Sequence, residues 1–261
     1  MENLRKYGDP PFNVAVIHGG PGASGEMAPV ARELSKNMGI LEPLQTKATL
    51  EGQVKELRHI LKEHGALPIT LIGFSWGAML SFIFTAHYPR FVKKLILIGS
   101  GPYEEKYAIN ISSTRISRLG KEDWENFRSL DKVLNSSTDK NKNEAFRSLG
   151  KLISKADTYD PLPHKEELIR CNYRIFKSVW EDAHELRRSG KLLKLGKKVT
   201  CPVVAIHGDF DPHPFEGVKE PLSGVVKDFR FILLDKCGHK PWIEREAKEK
   251  FYNLLEKETQ K

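Results

Sequence analysis

Six short apolar runs punctuate this chain, and amphipathic stretches separate most of them. The runs are Phe12–Ile17, Gly39–Leu44, Leu67–Ile72, Leu95–Ile98, Pro202–Ile206 and Phe229–Leu234. Runs of this length, rich in Val, Ile and Leu, fit strands buried on both faces. Between them the spacing changes to that of a helix. Met27, Val30, Ala31 and Leu34 stand at i, i+3, i+4 and i+7, one face of a helix. Leu50, Val54, Leu57, Ile60 and Leu61 mark a second helix ending near Gly65. Met79, Leu80, Ile83 and Phe84 mark a third, Ala78 to His87, which stops before Pro89. Strand and helix thus alternate through the first hundred residues. The pattern predicts an α/β fold with a mostly parallel central sheet and helices on both faces.

The pattern breaks after Gly99-Ser100-Gly101-Pro102. Up to about Gly196 the chain is rich in Lys, Arg, Glu, Asn and Ser, and only helical spacing recurs. Trp124, Phe127 and Leu130 form one set; Phe146, Leu149, Leu152 and Ile153 a second; Leu168, Tyr173, Phe176 and Trp180 a third. Pro161-Leu162-Pro163 marks a break inside the segment. Residues 102–195 therefore read as an inserted α-helical unit between core segments 1–101 and 196–261. The α/β pattern resumes at Pro202, and a closing helix is expected from about Trp242 to Lys257.

Composition narrows the class. The chain has 261 residues, 39% hydrophobic and 29% charged. That is enough for one sizeable core with an inserted subdomain. No apolar run reaches the length of a membrane span, and the first residues lack the apolar stretch of a secretory signal. Cys171, Cys201 and Cys237 are odd in number and lack C-x-x-C spacing, which points to reduced thiols and a cytoplasmic setting. The net charge is +8, and between Pro102 and Lys198 there are 21 Lys and Arg against 15 Asp and Glu. These charges interleave as on solvated helices, with room for an anion-favouring pocket mouth. No nucleic-acid motif stands out, so neither nucleic acid nor membrane is expected as a partner. The pattern does not set an oligomeric state.

The chemistry centres on Gly73-Phe74-Ser75-Trp76-Gly77. It fits G-x-S-x-G between a predicted strand and a predicted helix, the setting of a nucleophile elbow. A plain strand-to-helix turn with Ser75 as N-cap is the bland alternative. A serine nucleophile needs a base, usually a histidine oriented by a carboxylate. His239 and Asp211 both stand just past predicted strand ends. In an open parallel sheet such ends share the edge where ligands bind, and Ser75 is on that edge too. Asp209, two residues from Asp211, and Asp235 are competing candidates for the acid. An oxyanion hole needs two main-chain donors. Trp76 offers one at a helix start, and Gly20 or Gly19 in His18-Gly19-Gly20-Pro21-Gly22 offers the other.

Other residues have quieter readings. His207, Asp209, Asp211 and His213 fall within seven residues and invite a metal reading, but metal ligands must converge on one point. His207 fits a supporting role better, and no metal or cofactor is expected. His18 suits support of the glycine turn. Trp76 suits a pocket wall or packing against the inserted unit. Glu244 suits the start of the last helix through the helix dipole.

These motifs together resemble the α/β-hydrolase fold superfamily over nearly the whole chain. The residues that carry the likeness are His18-Gly19-Gly20-Pro21-Gly22, Gly73 to Gly77, Gly208-Asp209-Phe210-Asp211 and Gly238-His239-Lys240-Pro241. The resemblance implies Asp211 as the acid, His239 as the base, and 102–195 as the lid. The first two motifs are most similar to the proline iminopeptidase branch. Two departures stand out. Residues 40–46, Ile-Leu-Glu-Pro-Leu-Gln-Thr, replace that branch's D-x-R-G-x-G-x-S segment, and the chain is short before its first clear strand, so one or two N-terminal strands should be reduced or missing. An aminopeptidase also needs acidic lid residues for a substrate ammonium, for which Glu122, Asp123 and Glu125 are available.

The expected activity is that of a serine hydrolase acting on an ester, amide or short peptide bond of a small molecule. It would work through an acyl-enzyme on Ser75. C–C bond cleavage, cofactor-free oxygen chemistry and a non-catalytic binding module are the alternatives the same fold admits.

Overall fold

The apolar runs pair into one seven-stranded sheet in the computed structural model of the chain, which describes residues 3–137, 140–165, 167 and 170–260. The first half contains β1 (Leu4–Tyr7), β2 (Phe12–Ile17), β3 (Ala23–Ser24), α1 (Ala28–Leu34), β4 (Gly39–Pro43), α2 (Leu50–His64), β5 (Ile69–Phe74), α3 (Trp76–His87) and β6 (Val92–Ile98). Then come α4 (Ile111–Ser117), α5 (Lys121–Asn135), α6 (Lys142–Ala156), β7 (Arg170–Cys171), α7 (Tyr173–Arg188) and α8 (Lys191–Lys194). The chain closes with β8 (Val203–Gly208), α9 (Glu216–Val225), β9 (Phe229–Leu234) and α10 (Lys248–Gln260). Among the described residues no helix is long and apolar enough to cross a membrane.

The strand order is β1-β4-β2-β5-β6-β8-β9, parallel throughout except for β1 against β4. Successive side chains of a strand point to opposite faces, and the core divides accordingly. Ala15 and Ile17 of β2 join one cluster with Leu57 of α2 and Leu80 of α3. Val14 and Val16 join the other, with Val30 of α1 and Phe251 of α10. Helices on both faces explain why the runs are continuously apolar rather than alternating. α3 is buried from Trp76 to Ala86. Full burial of a single Phe, such as Phe82 or Phe84 there, stabilises the fold by about 1.5–3 kcal/mol.

Several elements depart from the sequence pattern. β1 stands ahead of the first apolar run, so a short N-terminal strand is present; only Leu4 of its four residues is buried. β4 looked weak in sequence, yet all five of its residues are buried. α9 had no helical signature because two glycines and Pro221 interrupt it; Val218 and Leu222 still pack inward. The closing helix begins at Lys248 rather than Trp242, because Pro241–Ile243 forms a separate 3-10 turn and Glu244 is extended. Among the described residues between β6 and β8 are four helices of seven or more residues, of which α4 was not foreseen. Leu168, one of the expected apolar positions there, lies outside the described residues. β3 and β7, two residues each, pair antiparallel and join the glycine turn after β2 to the segment before α7. Asp182 on α7 accepts the Leu50 N–H at 3.0 Å and so caps the start of α2.

The sheet order creates the site. β4 lies on one side of β2 and β5 on the other, so the loops leaving β2 and β5 diverge and open a crevice at their carboxyl ends. The glycine turn follows β2, and Ser75 follows β5. α3 then passes so near β2 that a Cβ on Gly77 would sit 2.2 Å from the Ile17 carbonyl oxygen. Only glycine permits that approach. Gly77→Ala should therefore cost about 3 kcal/mol or more, the upper end for overpacking, because backbone meets backbone. Urea denaturation checks this, and a wild-type midpoint would contradict it.

Candidate active site

Ser75 occupies the turn between β5 and α3 with φ 53° and ψ −115°. Positive φ is rare for a residue with a side chain and marks local strain. The turn is held by the Ser75 N–H donating to Ile98 O at 2.9 Å. Ser75 makes no side-chain cap bond, which removes the N-cap reading. Trp76 begins α3, so its main-chain N–H is among the four that have no partner within the helix. Its side chain is buried, with Nε1 donating to Gln53 Oε1 at 3.1 Å and the ring edge-on to Trp180 at 6.3 Å. Gly20 reaches φ 51° in a turn closed by the Ala23 N–H on its carbonyl at 2.9 Å. His18 supports that turn through a 2.7 Å contact between Nδ1 and Gly19 O. Burial holds its pKa below the usual value, so the neutral ring donates there.

Asp211 and His239 meet from the loops after β8 and β9. Asp211 Oδ2 lies 2.6 Å from His239 Nδ1. Asp209 is turned elsewhere, accepting the Cys237 N–H at 3.0 Å, which resolves which aspartate faces the histidine. The other oxygen of Asp211 accepts from His213 twice, from Nδ1 at 2.7 Å and the main-chain N–H at 2.9 Å. His207 stands 3.4 Å from Oδ2 and spends Nε2 on His213 O at 2.8 Å. Burial works to raise the Asp211 pKa, but the neighbouring imidazoles of His239, His213 and His207 and the hydrogen bond from His213 outweigh it and hold it well below the usual carboxylate value. His207, Asp209, Asp211 and His213 therefore do not converge as one ligand set. Asp211, His213 and His239 are the metal-capable group among the described residues, and their hydrogen bonds already satisfy the carboxylate.

The His239 loop is anchored by residues whose sequence carried no such signal. Glu244 is fully buried. Its carboxylate accepts the N–H groups of Gly238 at 3.0 Å and of Tyr159 and Asp160 at 2.9 Å each. It thus pins the histidine loop to the segment after α6 rather than starting the last helix. The His239 N–H donates to Asp157 O at 2.8 Å. Asp157 is in turn gripped by Arg115 of α4 through two bonds of 2.8 and 2.7 Å. Arg118 donates to Phe210 O at 2.8 Å and lies over that ring, 3.7 Å from its centroid. Arg115 and Arg118 were missed because α4 has no apolar periodicity. Cys237 is buried, and that burial pushes its thiol pKa up, which fits a packing role.

Ser75, His239, Gly20 and Trp76 all line one cavity of about 280 Å³. The segment between β6 and β8 supplies the opposite wall with Phe146, Ile153, Phe176 and Trp180. Phe176 and Trp180 stack at 9° between planes. Glu26, Lys240, Arg115 and Asp157 also line it. They are paired, Lys240 with Glu26 at 3.4 Å and Arg115 with Asp157 at 2.7 Å. The lining is thus charge-balanced, and the basic excess of the middle segment lies outside it. Glu122, Asp123 and Glu125 do not line the cavity; Asp123 pairs with Lys155 at 2.6 Å.

Comparison with known proteins gives a consistent picture of the fold. The model of a family described as alpha/beta hydrolase fold matches residues 42–246. A proline iminopeptidase of Lactobacillus delbrueckii subsp. lactis is 32% identical over 99 residues, a match that covers 31% of this chain and only 34% of that protein. Among solved structures, a monoacylglycerol lipase of Paleococcus ferrophilus superposes with TM-score 0.62 at 18% identity, over 99% of this chain and 98% of the lipase. A bromoperoxidase from Bacillus anthracis gives 0.66 at 14% identity, over 99% and 95%. At such identities the structural likeness is one of fold alone.

Two outcomes follow from this geometry. Glu244→Ala leaves three main-chain donors without their acceptor and should cost about 3 kcal/mol or more, read as a lowered melting temperature; an unchanged one would contradict the anchoring role. Stability should also fall with acid. Burial pushes the His213 pKa from 6.5 down to about 4, so between those values the unfolded chain binds a proton that the folded chain refuses. The loss reaches about 3 kcal/mol over that window. Burial of His18 and His207 acts in the same direction. Asp211 adds to the loss only below its usual range, as pH falls toward its depressed folded value. Urea midpoints at pH 7 and 4.5 check this; equal stabilities would contradict it.

Proposed function

Because this chain belongs to the α/β-hydrolase fold family, we propose that it is a serine hydrolase that cleaves an ester or amide of a small, apolar acyl group through an acyl-enzyme on Ser75. The observation that carries this reading is the 2.6 Å contact of Asp211 with His239 Nδ1, behind a ring that lines the same cavity as Ser75. With Nδ1 committed to the carboxylate, Nε2 is the nitrogen left to take the Ser75 proton. Ser75 Oγ attacks the carbonyl carbon as His239 accepts that proton. The N–H groups of Gly20 and Trp76 receive the oxyanion, each such donor contributing about 3–4 kcal/mol to the transition state. His239 then protonates the leaving group, and Asp211 stabilises the imidazolium throughout. Water attacks the acyl-enzyme by the same route in reverse. Neither a metal nor an organic cofactor takes part in these steps.

Residues 102–195 act as the lid, and their aromatic side chains select the acyl group. Glu26 and Asp157, the carboxylates that line the cavity beside Ser75, are both already paired with cations. Releasing either for a substrate ammonium would break an existing ion pair, which favours an uncharged acyl group over an aminoacyl one. The iminopeptidase likeness spans about a third of that protein and does not extend to this chosen substrate. The odd number of cysteines, without C-x-x-C spacing, fits a reducing, cytoplasmic setting.

A fluorophosphonate probe should label the wild type on Ser75 and leave Ser75→Ala unlabelled; a folded wild type without labelling would falsify the serine-hydrolase reading. His239→Ala and Asp211→Asn should lower p-nitrophenyl butyrate turnover by about 10³- to 10⁴-fold with the fold kept. Asp209→Asn should lower it far less. Proline p-nitroanilide should be hydrolysed much more slowly than the butyrate ester, and the reverse ranking would restore an aminopeptidase.

A further inference from the structure

Asp211 serves two imidazoles, whereas the proposed reaction uses one. We propose that His213 is a positioning residue: its Nδ1–H and main-chain N–H hold Oδ1 of Asp211, so that Oδ2 is aimed at His239 and the carboxylate's charge is divided between two rings. The assignment rests on His239 being the base.

The arrangement is nearly symmetric about the carboxylate. His239 Nδ1 is 2.6 Å from Oδ2 and His213 Nδ1 is 2.7 Å from Oδ1. The two rings lie 4.7 Å apart and 33° from parallel, and both line the catalytic cavity. His213 is itself fixed, since His207 Nε2 donates to its carbonyl at 2.8 Å and Pro212 and Pro214 flank it. The main-chain N–H would orient Asp211 unaided, and an apolar side chain would fill the space without the cost of burying a polar ring. The imidazole therefore has to be explained by what its own hydrogen bond does.

That bond withdraws charge. A neutral donor on Oδ1 stabilises the carboxylate and weakens its pull on a proton shared across Oδ2. Burial keeps His213 neutral despite the attraction of Asp211, so it donates without placing a second positive charge beside the imidazolium. The other titratable and charged groups nearby are neutral or engaged elsewhere. His207 of β8 is held neutral by burial, Arg115 of α4 grips Asp157, Arg118 just after α4 bonds Phe210 O, and Lys240 pairs with Glu26. By this account His213 moderates the charge that Asp211 presents to His239.

The test is an NMR titration of the histidine rings, which needs no turnover and so remains decisive even if Ser75 proves not to be a nucleophile. In the wild type, His213 should be the neutral Nδ1–H tautomer. In His213→Leu the His239 midpoint should rise by about one pH unit, tenfold in proton affinity. His213→Asn, whose amide reaches near the place of Nδ1, should restore most of the wild-type value. The acid limb of kcat/KM for p-nitrophenyl butyrate should move in parallel, a shift that mere packing would not produce. An unchanged His239 midpoint in His213→Leu overturns the proposal. If that variant fails to fold, an Nε2–H tautomer at wild-type His213 overturns it, because Nδ1 would then have no proton to donate to Asp211.

Discussion

A carboxylate with no access to solvent sets the terms for the edge of the molecule where the β8 and β9 loops meet. Burying an ion costs several kcal/mol unless hydrogen bonds and opposite or polar groups replace its water. Asp211 meets that demand from three directions: His239 on one oxygen, His213 with ring and main chain on the other, and His207 beside them. Each partner must then be held in place. His207 braces the carbonyl of His213, Gly208 lets the β8 loop pass close under the Cys237 and Gly238 carbonyls, and Asp209 ties the Cys237 N–H to the same loop. The local sequence around Asp211 reads as a set of devices for keeping one charge satisfied.

The second constraint is the seam between the sheet and the helical segment above it. That segment is polar along most of its length and buries few residues of its own; α5 buries only Leu134. Its position comes from a few directed contacts. Glu244 joins the His239 loop to the turn after α6, Arg115 locks Asp157 beneath the His239 N–H, Asp182 caps α2, and β7 pairs with β3 in the glycine turn. All but the Asp182 cap land on a loop that carries a residue of the site. The same segment supplies the aromatic wall, so the cavity lining and the anchoring of the His239 loop share one scaffold.

Much of this was legible in the residues themselves. The apolar runs marked six of the seven strands of the main sheet because burial on both faces demands continuous apolar side chains. G-x-S-x-G was informative because its glycines meet a steric demand that appears at Gly77. Ser75, Asp211 and His239 were nameable because each follows a strand, and parallel strands bring their carboxyl ends to one edge. Where several residues in one loop were chemically equivalent candidates, the local pattern was silent, and only the family resemblance favoured Asp211. Asp209 and Asp211 differ in role by the direction of one turn, and His213 looked like part of a metal motif until its ring was seen against Asp211. Glu244 carried the composition of a helix start and is instead a three-fold acceptor.

The sequence by itself determined the sheet, its two apolar faces and the residues able to do the chemistry, because these depend on periodicity and on local backbone demands. The tertiary structure alone decided what turns Asp209 away from His239, what else the Asp211 carboxylate holds, and that both carboxylates lining the cavity already have cations. Those are matters of direction and distance between residues far apart in the chain, such as Arg115 and Asp157 or Glu244 and Tyr159. No local pattern records them, since the free energy that selects them comes from satisfying buried charge after the loops have met.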